Sequence, residues 1–213
     1  YKNILKYKCD AIIFRFWHPI LIPCYSYIIN NVKRHKPDSR IYCICDNIFP
    51  HEKFFVFDKY FIRKLLNKFT GIFTMSLHVK DQVKKLVKNS NVRNVFLPIK
   101  EGFGDKISKN DALRRIGIKE KYIILFFGLI RHYKGLDILI KAVNKLNTIN
   151  NNFKLLIVGE CYDSKKKYTK LIKDLSISDK VLWVNKYIRD NEINIYFSAS
   201  DVIVLPYKSA SQS

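Results

Sequence analysis

The chain has 213 residues, of which 48% are hydrophobic, and its formal net charge is +21. This length and composition are typical of a globular protein with one or two domains. No apolar run approaches the ~20 residues that a membrane-spanning helix needs. The charge predicts attraction to polyanions, a class that includes nucleic acids, anionic membrane surfaces and nucleotide-sugars. Because the chain has no RNA-binding signature and no zinc-finger spacing, we expect no nucleic-acid partner.

The cysteines indicate a reducing environment. There are five of them, an odd number, at positions 9, 24, 43, 45 and 161. A disulfide framework is therefore disfavoured, and a cytoplasmic location is favoured. Cys43 and Cys45 alternate within a predicted strand, and no second Cys/His pair lies at zinc-binding spacing. We expect both in the core and predict no metal site.

The first half of the chain alternates short apolar runs with segments of helical periodicity. Strands are predicted over 11–16, 40–45, 71–75 and 92–97. Helices are predicted within 21–36 and 56–68 and over 77–87, with Ser76 as the cap of the last one. Strands separated by helices favour a parallel sheet with right-handed crossovers.

The second half repeats this alternation after a break. Residues 100–105 contain glycine and lack apolar periodicity, so they are predicted to be a linker, and a short helix is predicted over 110–116. Strands follow over 122–127, 153–159, 180–184 and 201–206, with a helix over 136–146 after the first of them. We therefore predict a first domain over 1–99, a linker and short helix over 100–121, and a second domain over 122–213.

The turn from Gly128 to Gly135 has the residues of a diphosphate site. It connects a buried strand to a helix start, where free N–H groups attract anions. Glycine at position 128 lets a ligand approach the backbone. Arg131 can bind phosphate oxygens in a bidentate manner, and Lys134 adds a point charge. For an Arg-x-x-Lys pattern alone, a solvated basic turn is the alternative.

Three blocks of sequence extend this interpretation: FFGLIRHYKGLDILIKA, KLLIVGE and VLWVNKYIRDNEINIYFSASDVIVLPY. In this order they resemble the donor-binding domain of retaining GT-B glycosyltransferases, the glycosyl transferases group 1 family. The resemblance implies an α/β fold with two Rossmann-like domains of GT-B type, the acceptor-side domain first. It also implies a nucleotide-diphosphate sugar as donor substrate and no separate cofactor. We expect both domains to be incomplete in these 213 residues.

The resemblance assigns the donor site. It implies that Gly128, Arg131 and Lys134 bind the diphosphate and that Gly159 borders the nucleotide, although a packing role for this glycine is equally expected. Tyr187 falls where the family places the nucleobase against a loop. The segment 206–213 replaces the first acid of the family's Glu-x7-Glu motif and has no glutamate. Its polar side chains are candidates for contacts with sugar hydroxyls or phosphate: Ser209, Ser211 and Gln212.

The resemblance also points to catalytic candidates in the first domain. The family usually has a His-Asp pair just after the second of the strands in this domain, here the strand predicted over 40–45. Here Cys45-Asp46 takes its place, so Asp46 matches and the histidine does not. His51 lies further along the same loop, and His18 follows the preceding strand. For either histidine alone, a structural role in a loop is the alternative.

These observations predict an enzyme that transfers a sugar from a nucleotide-diphosphate sugar to a saccharide or lipid-linked acceptor of surface polysaccharide synthesis. We expect it in the cytoplasm, attached peripherally to the anionic inner face of the membrane. The alternative is a non-catalytic module that binds polyanions or nucleotide-sugars. A helix should follow the strand at 202–205, because both faces of a parallel sheet need cover. Residues 1–213 alone are therefore expected to be poorly stable and inactive.

Overall fold

Two parallel sheets of four strands each organise the computed structural model. The structure describes residues 2–7, 9–49, 57–87, 91–96, 98 and 101–209. The chain divides into two units, residues 1–98 and residues 99–209. The α/β class predicted from the alternating pattern is confirmed. Over the described ranges, no helix is both long enough and apolar enough to cross a membrane.

The first unit is built from four strands that follow one another across the sheet. In chain order its elements are α1 (Lys2–Lys6), β1 (Ala11–Phe16), α2 (Ile22–His35), β2 (Arg40–Cys45), α3 (Phe57–Leu66), β3 (Gly71–Thr74), α4 (Leu77–Leu86) and β4 (Asn91–Asn94). The strand order is β1-β2-β3-β4, and every pair is parallel. Ser76 caps α4 as predicted, since its hydroxyl accepts a hydrogen bond from the Val79 N–H at 3.2 Å.

The core of the first unit lies between one face of its sheet and the helices α2, α3 and α4. Phe16 and Ile41 from the strands are buried in one cluster with Ile29, Ile62 and Val83 from the three helices. Right-handed crossovers that all advance in one direction place their helices on the same face, which accounts for this arrangement. Alternate residues on β1 point the other way, and Ile13 is 62% exposed.

Cys43 and Cys45 belong to this core. Both side chains are free thiols and fully buried. A hydrogen bond with the Cys45 side chain, followed by burial, raises the pKa of the Cys43 thiol. The prediction that these two residues are core residues is confirmed.

The second unit has helices on both faces of its sheet. Its elements are α5 (Lys109–Ile116), β5 (Tyr122–Phe127), α6 (Leu136–Asn147), β6 (Phe153–Val158), α7 (Lys165–Asp174), β7 (Val181–Val184), α8 (Ile193–Ala199) and β8 (Val202–Ile203). The strand order is β7-β6-β5-β8, all parallel. One hydrophobic cluster joins the sheet to α6 and α7, and another contains Ile123, Leu125 and Ile188 together with side chains of α5 and α8.

β8 is shorter than the predicted strand over 201–206. Only Val202 and Ile203 pair with β5, and the Val204 N–H donates one further hydrogen bond to the Leu125 carbonyl. Beyond that point Pro206 has no N–H to donate, and the Lys208 N–H bonds instead to the carbonyl of Tyr133 at 2.7 Å. The chain therefore leaves the sheet and turns towards the loop after β5.

The segment predicted as a linker is attached to α8. The Asn194 N–H donates to the Phe103 carbonyl, and the Asn194 amide Nδ2 donates to the Asp105 carbonyl at 2.7 Å. The Ile107 N–H donates to the Ser198 hydroxyl at 3.2 Å. These bonds hold residues 103–107 on the second unit, beside the apolar surface of α8.

Asp201 connects the start of α5 to the sheet. Its carboxylate accepts from Lys109 Nζ at 2.6 and 2.7 Å and from the Ile123 N–H at 2.7 Å. Burial by itself would raise the pKa of this carboxyl, but the hydrogen bonds from Lys109 and Ile123 outweigh it, so the pKa lies below its usual value. The ionised form of Asp201 therefore stabilises the folded unit.

Replacing Asp201 with asparagine removes this charge at nearly constant shape. We expect the free energy of unfolding at neutral pH to fall by about 1 kcal/mol, because the pair is partly exposed and solvent screens it. A carboxyl whose pKa is lowered by folding stabilises above its unfolded-state pKa, and that contribution disappears as the pH falls through the folded-state pKa. The difference between wild type and Asp201→Asn should therefore shrink in acid.

Urea unfolding at a series of pH values from neutral to acidic measures this difference. Asp179→Asn is the matched control, because the Asp179 side chain is 70% exposed and lies 3.7 Å from Lys180. It should leave stability unchanged throughout. A difference for Asp201→Asn that stays constant with pH would contradict the role of its charge.

Candidate functional site

The site lies in the second unit, where β5, β6 and β7 end side by side. Backbone pairing continues one residue past each of the first two strands. The Gly128 N–H donates to the Val158 carbonyl at 2.9 Å, and the Gly159 N–H donates to the Val184 carbonyl at 3.0 Å. Ligands of open α/β sheets bind outside the carboxyl ends of the strands, so these three ends define the candidate site.

Gly159 allows the ends of β5 and β6 to approach closely. Its φ is +136°, and a Cβ at this position would lie 2.1 Å from the Gly128 carbonyl oxygen. No side chain fits in that space. Gly159 thus has the packing role considered from the sequence, and it also lines the cavity beside it.

A cavity of about 270 Å³ opens at these strand ends. Its floor is formed by the last residues of β5 and β6 and their glycines, and its wall by the loop after β7. The lining residues are Phe103, Phe127, Gly128, Leu129, Gly159, Glu160, Lys186, Tyr187, Ile188, Asp190 and Ile193. Tyr187 is 67% exposed and stands on the wall of this cavity.

Lys134 directs its ammonium group back to Gly128. A Cβ on Gly128 would lie 3.1 Å from Lys134 Nζ, so the absence of a side chain at position 128 leaves room for this group. In the described part of the chain, no carboxylate is paired with Lys134. Burial, and then the charge of Arg131, lower the pKa of Lys134. Within the described ranges, the ammonium group therefore has no counter-charge at the mouth of the site.

Arg131 is exposed and is oriented by an aromatic ring rather than by an acid. Its guanidinium carbon lies 5.4 Å from the centre of the Tyr162 ring. The backbone holds this ring in place, because the Tyr162 N–H donates to the Ile130 carbonyl at 3.0 Å. The Tyr162 hydroxyl donates to Glu160 Oε2 at 3.3 Å. Arg131 thus has a fixed neighbour while its N–H groups stay available to a ligand.

The segment 206–208 closes against the same turn. The Lys208 N–H bonds to the Tyr133 carbonyl, and Lys208 Nζ donates to Asp137 Oδ2 at 2.9 Å. The Tyr207 ring centre lies 5.5 Å from Lys134 Nζ. Neither Tyr162 nor Tyr207 is predicted from the sequence, since each is distant in sequence from the cation that it contacts and no local pattern signals the contact.

Gly135 makes this closure possible. Its φ is +71°, and a Cβ would lie only 2.0 Å from the Pro206 carbonyl oxygen. Position 135 therefore requires glycine for two reasons: its φ is positive, and the Pro206 carbonyl leaves no room for a side chain.

Three further predicted donor residues follow the segment 206–208 in the sequence. Ser209 is exposed and directly follows the segment 206–208, and it is the last residue that the structure describes. Ser211 and Gln212 lie outside the described residues. The structure thus brings Gly128, Arg131, Lys134, Gly159 and Tyr187 to one edge of the second sheet.

In the first unit, Asp46 and His18 follow the carboxyl ends of two neighbouring strands. Asp46 is buried, and its Oδ2 accepts from Arg15 Nε at 2.6 Å. This hydrogen bond and the attraction between the charges raise the pKa of Arg15. His18 Nδ1 accepts from the Ile20 N–H at 3.2 Å and so caps a short 3₁₀ helix. His51 lies outside the described residues.

Across the described ranges, no group of three His, Cys, Asp or Glu side chains is placed to hold a metal ion. Arg131 and Lys134 lie at the edge of the second sheet, and the Arg15–Asp46 pair lies at the edge of the first. Their arrangement suits the binding of an anion at the edge of the second sheet.

The contact between Gly135 and Pro206 can be tested by stability. Gly135→Ala should destabilise the protein more than Gly117→Ala. Both positions have positive φ, which costs about 1–2 kcal/mol for a residue with a Cβ, but a Cβ on Gly117 meets nothing within 4 Å. Only the change at Gly135 must also displace the 206–208 segment.

Chemical denaturation of the two variants measures the difference directly, and Gly117→Ala is the matched control for the backbone cost. We expect Gly135→Ala to lose at least about 1 kcal/mol more than the control, in the range of an overpacked site. Equal losses would mean that Pro206 does not closely contact this turn in solution.

Comparison with known proteins agrees with this geometry. Residues 108–211 match the model of the family described as Glycosyl transferases group 1. The sequence has no significant match among curated proteins. These 104 residues include both cations, both strand-end glycines and the segment 206–208.

Solved structures share the fold of nearly the whole chain. Sucrose-phosphate synthase from Thermosynechococcus elongatus superposes with a TM-score of 0.79 at 14% identity, over 99% of this chain and 53% of its own. HepE from Anabaena, in complex with UDP and glucose, has a TM-score of 0.73 at 15% identity, over 95% of this chain and 53% of its own. WaaG, a glycosyltransferase involved in lipopolysaccharide biosynthesis, has a TM-score of 0.65 at 17% identity, over 86% of this chain and 57% of its own. The chain thus spans about half the length of the first two structures. Its α/β fold matches that of GT-B glycosyltransferases, and residues 108–211 match the Glycosyl transferases group 1 family.

Proposed function

We propose that this protein is a glycosyltransferase that moves a sugar from a nucleotide-diphosphate sugar to a saccharide or lipid-linked acceptor. The observation that carries the proposal is the pair Arg131 and Lys134, which have no carboxylate partner in the described part of the chain and lie where β5 ends. The match of residues 108–211 to a glycosyltransferase family supports the same assignment.

The two cations suit the diphosphate of the donor. Lys134 has a lowered pKa because it is buried near another cation, so a bound anion would supply the counter-charge that the free protein lacks. Arg131 can add bidentate hydrogen bonds to phosphate oxygens. Negative charge develops on the diphosphate as the sugar leaves, and these cations stabilise that charge in the transition state.

The neighbouring cavity suits the nucleoside. Its volume of about 270 Å³ is close to the lower limit of pockets for small molecules, which fits part of a donor rather than the whole. In this proposal Gly159 and Tyr187 border the nucleoside, while Ser209, Ser211 and Gln212 contact the sugar or the phosphates. The structure of HepE with UDP and glucose supports UDP as the first nucleotide to test. Retention of the anomeric configuration is part of the proposal through the resemblance to the family.

The first unit would supply the acceptor side. We propose that Asp46, His51 and His18 contact the sugar groups there. Asp46 would do so as the partner of Arg15, whose Nε donates to Asp46 Oδ2 at 2.6 Å. His18 would use Nε2, since its Nδ1 is engaged by the Ile20 N–H.

Attachment to a membrane surface belongs to the same proposal. A net charge of +21 favours an anionic surface, where a lipid-linked acceptor of surface polysaccharide synthesis would be found. A non-catalytic module that binds nucleotide-sugars is the second candidate, because segment 206–213 has no glutamate. Catalytic turnover distinguishes the two.

The double variant Arg131→Ala, Lys134→Ala tests the diphosphate site. A hydrogen bond to a charged group contributes about 1.5–3 kcal/mol, so loss of either cation should weaken UDP binding about tenfold or more. Calorimetry with UDP and with GDP measures the affinity. Arg115→Ala, Lys145→Ala is the matched control, since it removes the same charges from exposed helix positions.

Unchanged nucleotide affinity in the double variant, or an equal loss in the control, would refute the site. Transfer is then assayed with a panel of nucleotide-sugars and the complete protein. Nucleotide binding that depends on Arg131 and Lys134 without any transfer would favour the binding module over the enzyme.

Tyr162 provides a second test of the same site. A cation–π contact at an exposed position contributes about 0.5–1 kcal/mol, so Tyr162→Ala should weaken UDP binding about two- to fivefold by freeing the Arg131 side chain. Tyr162→Phe keeps the ring and should bind like the wild type. In the Arg131→Ala background, Tyr162→Ala should have no further effect. An equal loss in both backgrounds would show that Tyr162 does not act through Arg131.

A further inference from the structure

A groove of about 450 Å³ lies between α2 and α3 of the first unit. Ile22, Pro23 and Phe61 give it an apolar lining, and two cations, Lys64 and Lys68, complete it. It therefore combines an apolar surface with positive charge.

The polar surroundings of the two lysines are the next feature of the groove. Lys68 Nζ donates to the Asn30 side-chain oxygen at 2.6 Å, and Lys64 is exposed. Among the residues that the structure describes, no carboxylate is paired with either of them. Burial, and then the charge of Lys64, lower the pKa of Lys68. The two ammonium groups thus repel one another, and a bound anion would relieve this repulsion.

Exposed apolar side chains surround the same groove. Phe61 is 50% exposed, and its ring lies 5.4 Å from that of Tyr60, which is 64% exposed. Ile20, which follows Pro19 in the groove wall, is 73% exposed. Aromatic and aliphatic side chains beside lysines are the composition of surfaces that enter the interface of a membrane.

We propose that this groove binds an anionic phospholipid of the membrane, with an acyl chain along the apolar lining and the phosphate at Lys64 and Lys68. A free phosphate would make no use of the apolar lining, and a neutral apolar partner would leave the lysines without a counter-charge. The inference rests on the proposed membrane attachment, but its test does not depend on sugar transfer.

The test measures binding of the complete protein to vesicles of phosphatidylcholine, with and without phosphatidylglycerol. Each lysine near an anionic surface contributes roughly fivefold, so Lys64→Gln, Lys68→Gln should weaken binding to the anionic vesicles roughly 30-fold. Lys84→Gln, Lys85→Gln on α4 is the matched control, because both side chains are exposed and lie in the same unit. The affinity of this control for the anionic vesicles should fall distinctly less than that of the Lys64→Gln, Lys68→Gln variant. An equal loss in the two variants would overturn the proposal, since net charge alone would then explain binding.

The apolar part of the site has its own pair of variants. Phe61→Ala should weaken vesicle binding by about tenfold through loss of buried apolar surface, whereas Phe96→Ala, at a position that is 84% exposed and outside the groove, should not. Soluble glycerol phosphate should fail to compete with the vesicles, and effective competition would overturn the lipid assignment. UDP affinity should be unchanged in the groove variants, which separates this result from the outcome at the donor site.

Discussion

The candidate site of the second unit depends on a backbone contact that leaves no room for a side chain. Gly159 approaches the Gly128 carbonyl so closely that a Cβ would lie at 2.1 Å. This contact brings the ends of β5 and β6 level and opens the cavity beside them. At position 128 the absence of a side chain leaves the space in which the Lys134 ammonium group lies. A larger residue at either glycine would disturb the strand ends and the cation together.

Arg131 and Lys134 are positioned without a carboxylate partner among the described residues. A carboxylate beside Arg131 or Lys134 would hold it in place but would also compete with a bound phosphate. Aromatic rings avoid this conflict, since their attraction for a cation is weaker than that of a charge and leaves the N–H donors available. Tyr162 and Tyr207 occupy these places. Because Lys134 is buried near Arg131, its pKa is lowered. An anionic ligand would offset this unfavourable environment of the ammonium group.

Some charged groups of this chain form ion pairs, and others have no carboxylate partner among the described residues. In the first unit, Arg15 forms an ion pair with the buried Asp46. In the α2–α3 groove of the same unit, by contrast, Lys68 donates to the Asn30 side-chain oxygen, and neither Lys64 nor Lys68 is paired with a carboxylate among the described residues. The positive charge is therefore not distributed evenly among these groups. Some lysines, such as Lys109 beside Asp201, are in ion pairs, whereas the two lysines of the groove are available to bind an anion.

Local sequence was sufficient for most of the fold, because strand and helix periodicities are local properties. The strands β1, β2 and β5 have the predicted bounds, and Ser76 caps α4 as expected. It was also sufficient for the turn with Arg131 and Lys134, since glycine, cations and a helix start follow one another along the chain. Tertiary structure alone decided how long β8 is, where residues 103–107 attach and which rings hold the two cations. Each of these depends on partners distant in sequence: β5 and Tyr133 for the end of β8, α8 for the linker, and Tyr162 and Tyr207 for the cations. Periodicity records which face of an element is buried, but not what lies against that face, and so these contacts emerge only when the chain is folded.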